Sequence, residues 1–191
     1  MEKINIEFID KCYKNAIKLK KDFEITEEKK WDICKVLLEL GVKIGHVFDL
    51  KCNNNELKEK KRDIHNLGDE ISDVLLQTIY LGYLTETDLK KKIEIKFDDI
   101  DGIVVMYGQL VEAIMEEESF RFKKERVEFK NRREFIKDRI LKIYLITLNY
   151  AEKNNINVIK EFNDMIQDAR GFLNKYEKEH KVWFWRYMFF N

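Results

Sequence analysis

Apolar residues recur at intervals of three and four along most of the chain, which is the spacing of one face of an α-helix. The pattern predicts long helices over about residues 4–22, 26–50, 63–84, 103–118 and 133–153. Thr26 is the expected N-cap of the second of these helices. Thr85-Glu86-Thr87-Asp88 resembles a capping box and predicts a short helix through Ile93. The sequence therefore predicts an all-α helical bundle.

Two interruptions organise this pattern. Residues 51–61 have no apolar period and predict a loop, whereas residues 97–102 suggest a boundary between two halves, 1–96 and 97–191. Because the second half repeats the order of turns and helices of the first, we interpret the chain as an internal duplication. The aromatic tail, residues 182–190, is expected to dock on the body or on a second copy of the chain. Anchoring at a membrane surface is the alternative.

Composition narrows the classes of partner. The 191 residues include 36 Lys and Arg and 36 Asp and Glu, so no net charge attracts nucleic acid or an anionic membrane. A basic and aromatic stretch, residues 119–132, could meet nucleic acid, but the preceding acidic run, residues 116–118, could neutralise it. No apolar run approaches the roughly 18 residues of a membrane span, and the start lacks signal-peptide features. We expect a cytoplasmic protein that does not enter membranes.

Acidic residues in apolar surroundings are the strongest chemical signal. Glu70 and Asp73 are three residues apart and share one face of the predicted third helix. Glu39 lies among leucines on the preceding helix, where an unpaired charge is costly. Carboxylates of this kind are typical ligands of Mg²⁺. The competing interpretation is chance, because E-x-x-D arises easily in a chain with 36 acidic residues.

The segments Leu37–Val42 and Leu67–Leu76 resemble the MazG-like all-α NTP pyrophosphatases, which carry E-x-x-E on one helix and E-x-x-D on the next. The resemblance covers residues 28–95 well, and residues 103–165 look like a worn second copy. It implies Mg²⁺-dependent hydrolysis of a nucleoside triphosphate to the monophosphate and pyrophosphate, in a bundle that usually oligomerises. It also implies that Glu39, Glu70 and Asp73 are the catalytic, metal-holding residues.

The chain departs from that family pattern in both halves. Val42 stands where the second glutamate of E-x-x-E is expected. The corresponding positions of the second half carry Gln109, Glu112, Phe135 and Asp138. Glu112 and Asp138 are expected to form a second, altered cation site or to complement the first site across the pseudo-twofold arrangement.

Basic residues close to these motifs are candidates for the triphosphate. Lys43, Lys61 and Arg62 are expected to contact the phosphates, although solvated charges at these positions are the alternative. His46, seven residues after Glu39, is either a general base or a packed histidine.

Three functions stay open at this point. The leading hypothesis is a divergent Mg²⁺-dependent nucleoside triphosphate pyrophosphohydrolase. The alternative is a catalytically degenerate MazG-like protein that binds a nucleotide or a protein. A purely structural scaffold would follow if the carboxylates faced solvent.

Overall fold

A computed structural model of the protein describes residues 6–27, 30–52, 66–95, 97, 99–117 and 131–190, with the side chains of residues 6–8, 27 and 177–190 left out. These residues form helices and connections, and they include no strand. The all-α prediction is confirmed. Residues 53–61 of the loop predicted over 51–61 lie outside the described residues, whereas Lys51 and Cys52 are helical. Most of the basic stretch over 119–132, Lys61 and Arg62 also lie outside the described residues, as do the side chains of the aromatic tail.

Six helices make up the described part of the chain. They are α1 (Ile6–Glu27), α2 (Ile33–Cys52), α3 (Leu67–Thr85), α4 (Ile100–Glu117), α5 (Arg132–Lys153) and α6 (Val158–Phe190). Among the described residues, none of these helices is long and apolar enough to cross a bilayer.

The start of α2 differs from the prediction. Thr26 lies in the last turn of α1, where its hydroxyl donates to the Asp22 carbonyl oxygen at 3.0 Å, so the prediction that it caps α2 was wrong. Asp32 caps α2 instead, since its Oδ1 accepts a hydrogen bond from the Lys35 N–H at 2.8 Å. In the same way, Asn66 Oδ1 accepts from the Asp69 N–H at 2.9 Å and caps α3.

The predicted short helix from Thr85 does not form. Residues 86–95 are turns and irregular chain. Glu86 takes the left-handed conformation, with φ of 56°, and the Thr87 N–H donates to the Gly82 carbonyl oxygen at 2.8 Å. The Thr85 and Thr87 hydroxyls are hydrogen-bonded at 2.7 Å. These polar groups therefore close α3, and they are not available to begin another helix.

The helices pack around one continuous hydrophobic core. α2 packs on α3 and α4 on α5, α3 also packs on α5, and α1 and α6 pack together and against α3. Core residues come from all six helices on both sides of residue 96, so the two proposed halves, whose symmetry stays a prediction, share this core. Leu38 is an exception to the predicted pattern, because it is 70% exposed on α2.

Candidate functional site

A cleft of about 720 Å³ opens where α1, α2, α3 and α6 meet. Its lining is chemically mixed, with six carboxylates, four lysines, two amides and an apolar wall. The carboxylates are Glu39, Asp69, Asp73, Glu161, Asp164 and Asp168, and the lysines are Lys20, Lys35, Lys43 and Lys160. The amides are Asn66 and Gln77, and the wall consists of Leu19, Phe23, Trp31, Leu76, Met165 and Ala169.

The register between α2 and α3 positions the acidic residues. His46 Nδ1 lies 3.1 Å from Glu70 Oε2, and Lys43 forms an ion pair with Asp73. The step from His46 back to Lys43 on α2 thus matches the step from Glu70 forward to Asp73 on α3, as expected for antiparallel helices. Extending this register by about one turn brings Glu39 level with Gln77, about 6 Å along the axis from Asp73.

Asp73 and Lys43 form the central ion pair of the cleft, and both side chains are largely buried. Burial acts to lower the pKa of Lys43, but Asp73, with smaller contributions from Glu70 and Asp69, outweighs it and raises that pKa overall. Lys43 is therefore a firmly charged ammonium group facing carboxylates.

Glu70 does not line the cleft, although the sequence places it one turn from Asp73. Its side chain is only 1% exposed and faces His46 of α2. His46 is thus packed against a buried carboxylate, which agrees with the packed-histidine interpretation. The structure therefore brings Glu39, Asp73 and Lys43 to one cleft and sets Glu70 behind it.

The other end of the cleft is aromatic. The Lys20 ammonium group lies 3.3 Å from the centre of the Trp31 ring, and that of Lys35 lies 4.2 Å from it. Glu24 Oε1 accepts hydrogen bonds from the backbone N–H of Trp31 at 2.8 Å and from the Tyr80 hydroxyl at 3.2 Å. These contacts join α1 to the start of α2 and to α3.

The candidate residues of the second half lie elsewhere. Asp138 Oδ2 is bound by Arg139 at 2.5 Å and by Lys142 at 2.8 Å, both within α5. Glu112 is half-buried on α4, and neither acid is among the residues that line the cleft. Val42, the departure in the first half, is 52% exposed and also stands outside the lining.

Sequence reasoning missed several members of the cleft, most clearly Trp31, Gln77 and the acids of α6. The sequence does contain a pattern that indicates two sides of the cleft. Lys35, Glu39 and Lys43 repeat every four residues on α2, and Asp69, Asp73 and Gln77 do so on α3. Such a polar line within an otherwise apolar helix indicates a face that borders a cavity. Nothing local indicates that α6 faces these two lines.

The carboxylates suit a hard cation but do not form a closed cage for one. Among the residues that the structure describes, no three histidine, cysteine or acidic side chains stand close enough together to hold a metal ion. Mg²⁺ is commonly bound by one or two carboxylates together with the phosphates of a substrate. Glu39 of α2 and Asp73 of α3 both line the cleft and are the residues that could supply such a pair of carboxylates.

Comparison with known proteins gave no match, whether with protein families, with curated sequences or with solved structures.

Proposed function

We propose that this protein binds a nucleoside triphosphate together with Mg²⁺ in the cleft and hydrolyses it to the monophosphate and pyrophosphate. The observation that carries this proposal is the joint presence of Glu39, Asp73 and Lys43 with the apolar wall in one cleft. The cleft volume of about 720 Å³ lies within the usual range for small-molecule sites. The resemblance of the α2 and α3 segments to MazG-like enzymes supports the same chemistry.

Electrostatics supports entry of the nucleotide with its cation. The cleft lining contains six carboxylates and four lysines, an excess of two negative charges, so a bare triphosphate is repelled. A cation carried by the phosphates reduces this repulsion and gives the carboxylates a partner. Glu39 and Asp73 are the residues that would hold Mg²⁺, which when bound polarises phosphate oxygens and a water molecule.

The residues of the chain itself have distinct parts in this proposal. Lys43 is charged and stands beside Asp73, where it can turn to a phosphate oxygen once a cation takes up the carboxylate. Glu39 is half-buried and, by the register of α2 against α3, stands about one helical turn along the axis from Asp73, where an oxygen of its carboxylate can accept the proton of an attacking water. Glu70 and His46 position α2 against α3 from behind the cleft.

Binding without hydrolysis is the second candidate function. The ion pair between Lys43 and Asp73 favours it, because a carboxylate already neutralised by lysine has less need of a cation. The valine at position 42 favours it too, because it supplies no oxygen ligand. A protein of this kind would retain a nucleotide and release it unchanged.

Release of pyrophosphate from a panel of nucleoside triphosphates with Mg²⁺ tests the proposal. We expect turnover by the parent protein and a loss of roughly 100-fold in Glu39→Gln and Asp73→Asn, because each removes a carboxylate from the cleft. Glu152→Gln is the matched control, since Glu152 is exposed near the end of α5. Nucleotide binding with no turnover by the parent protein would leave the second candidate function.

Glu70→Gln separates two roles for that residue. If Glu70 holds a cation, as the resemblance implies, this variant loses turnover while its stability changes little. If it holds His46 instead, as its contact indicates, the variant loses stability and keeps turnover.

A further inference from the structure

Gln77 is a buried amide whose oxygen has no hydrogen-bond partner among the described residues. The residue is 4% exposed on α3, lines the cleft, and its Oε1 accepts no hydrogen bond within the described part of the chain. Buried polar atoms are nearly always paired, because leaving one without a partner costs free energy. Gln77 Oε1 itself is closed to solvent in the unliganded protein, so the side-chain amide must turn to present this acceptor to a donor that arrives with a ligand.

The position of Gln77 indicates which part of a ligand it would meet. Asp69, Asp73 and Gln77 follow one another at single-turn spacing along α3, and Tyr80 comes next. The Lys43 ammonium group forms an ion pair with Asp73. Glu24 accepts hydrogen bonds from both the backbone N–H of Trp31 and the hydroxyl of Tyr80. Along α3, Gln77 thus lies between Asp73, which is paired with Lys43, and Tyr80, which is linked to the segment that carries Trp31.

Part of the lining of the cleft that Gln77 shares is apolar. Leu19, Phe23, Leu76 and Met165 contribute apolar surface to the cleft, and three of them, Leu19, Leu76 and Met165, are buried. A hydrogen bond formed in such surroundings discriminates strongly, because a ligand without the matching group leaves the amide unpaired. A ligand that joins a triphosphate to a group with hydrogen-bond donors on a largely apolar body matches this mixture of lining residues.

We infer that Gln77 reads the nucleobase of the substrate. This inference rests on the proposed function and specifies its substrate as a nucleotide with a base, as opposed to an inorganic polyphosphate. The base edge presents an N–H donor to Gln77 Oε1, and the Gln77 amide nitrogen is placed to donate to an adjacent acceptor on the same edge. The triphosphate lies toward Asp73 and Lys43.

The denaturation midpoint of a Gln77 variant distinguishes recognition of a ligand from a purely structural role. Methionine has nearly the same length and lacks the unpaired acceptor, so Gln77→Met is expected to leave the denaturation midpoint unchanged or to raise it. Gln167→Met is the matched control, because Gln167 is exposed on α6. A clear fall in the midpoint of Gln77→Met alone would show that the amide holds the fold together and would overturn the inference.

Calorimetric titration of the full chain tests the reading of the base. The probes are the four common nucleoside triphosphates and inorganic tripolyphosphate, each with Mg²⁺. We expect at least one nucleotide to bind the parent protein roughly tenfold more tightly than tripolyphosphate, which is the worth of a typical buried hydrogen bond. Gln77→Met should lose this preference and keep its affinity for tripolyphosphate, and Gln167→Met should keep both.

Pyrophosphate release by the same preparations distinguishes failure of the inference from failure of the proposed function. Turnover by the parent protein with equal affinity for tripolyphosphate and every nucleotide would overturn the inference and leave hydrolysis standing. A preference that survives in Gln77→Met would also overturn it. If the parent protein shows no turnover but prefers a nucleotide to tripolyphosphate, and Gln77→Met abolishes that preference, the result would support recognition of the base and exclude the proposed hydrolysis.

Discussion

Glu24 connects three parts of the molecule through one carboxylate oxygen. That oxygen accepts hydrogen bonds from the backbone N–H of Trp31, a residue just before α2, and from the hydroxyl of Tyr80 on α3. Burial, followed by the charge and hydrogen bond of Glu24, raises the pKa of Tyr80 to about 12. The tyrosine is therefore held in its neutral form, in which its hydroxyl donates to Glu24.

Alkaline pH should weaken the fold through Tyr80. The pKa of the unfolded side chain is close to 10, so the folded state holds the proton more tightly, and this contribution is complete below about pH 10. It is lost as the pH rises from about 10 toward 12. We expect the free energy of unfolding to fall by about 1 kcal/mol more in the parent protein than in Tyr80→Phe between pH 8 and pH 11.

Denaturant titrations at both pH values measure this difference. The remaining tyrosines are common to the two proteins, so their titration cancels in the comparison. Equal losses in the parent protein and in Tyr80→Phe would contradict the prediction.

Among the elements, α2 has two glycines one turn apart with different surroundings. A Cβ at Gly41 would overlap the Tyr107 hydroxyl and lie 2.8 Å from Tyr107 Cζ, whereas nothing lies within 4 Å of a Cβ at Gly45. The Tyr107 hydroxyl donates to the Leu37 carbonyl oxygen at 3.1 Å, which brings α4 close to α2. Gly41 therefore allows the two helices to approach, and Gly45 has no such role.

Alanine at these two positions should have opposite effects. Gly45→Ala is expected to stabilise the protein by up to about 1 kcal/mol, because alanine favours the helix and meets no obstacle. Gly41→Ala is expected to destabilise it by about 1–2 kcal/mol, because displacement of Tyr107 costs more than the helix propensity returns. Chemical denaturation of both variants measures the difference.

The pair of variants is its own control, because the substitution and the helix are the same. Stabilisation of similar size at both positions would show that Tyr107 gives way easily and would contradict the close approach of α4 to α2.

In the whole molecule, the cleft depends on segments that are far apart in the chain. Leu19 of α1, Glu39 of α2, Asp73 of α3 and Met165 of α6 all line it. An unfolded chain cannot bring these side chains together, so a ligand that binds the cleft binds the folded state alone. Binding must therefore stabilise the protein as a whole.

Thermal denaturation with ligand measures this coupling. A Mg²⁺–nucleotide complex at 100 times its Kd should add about 2.7 kcal/mol, which corresponds to roughly 5–10 °C in Tm for a chain of this size. The same nucleotide with a chelator should shift Tm much less, because the six carboxylates repel an uncompensated triphosphate. Equal shifts with and without Mg²⁺ would contradict the proposed electrostatics.

Most of the helical architecture could be predicted from the sequence. The apolar repeat located five of the six helices to within a few residues, with larger errors where α1 ends and α2 begins. The error at Thr85 arose because the same polar side chains can begin one helix or end another. The candidate site was predicted less completely, because spacing shows which residues share a helix face and does not show what that face meets.

The sequence by itself determined the all-α class and the presence of Glu39 on α2 and of Glu70 and Asp73 on α3, because helical periodicity is a local property of neighbouring residues. The tertiary structure decided that Asp73 faces the cleft and Glu70 faces His46, since this depends on the register of one helix against another. It also decided that Trp31, Gln77 and α6 complete the cleft. These contacts join residues far apart in the chain, and only the packing of the whole core brings them together.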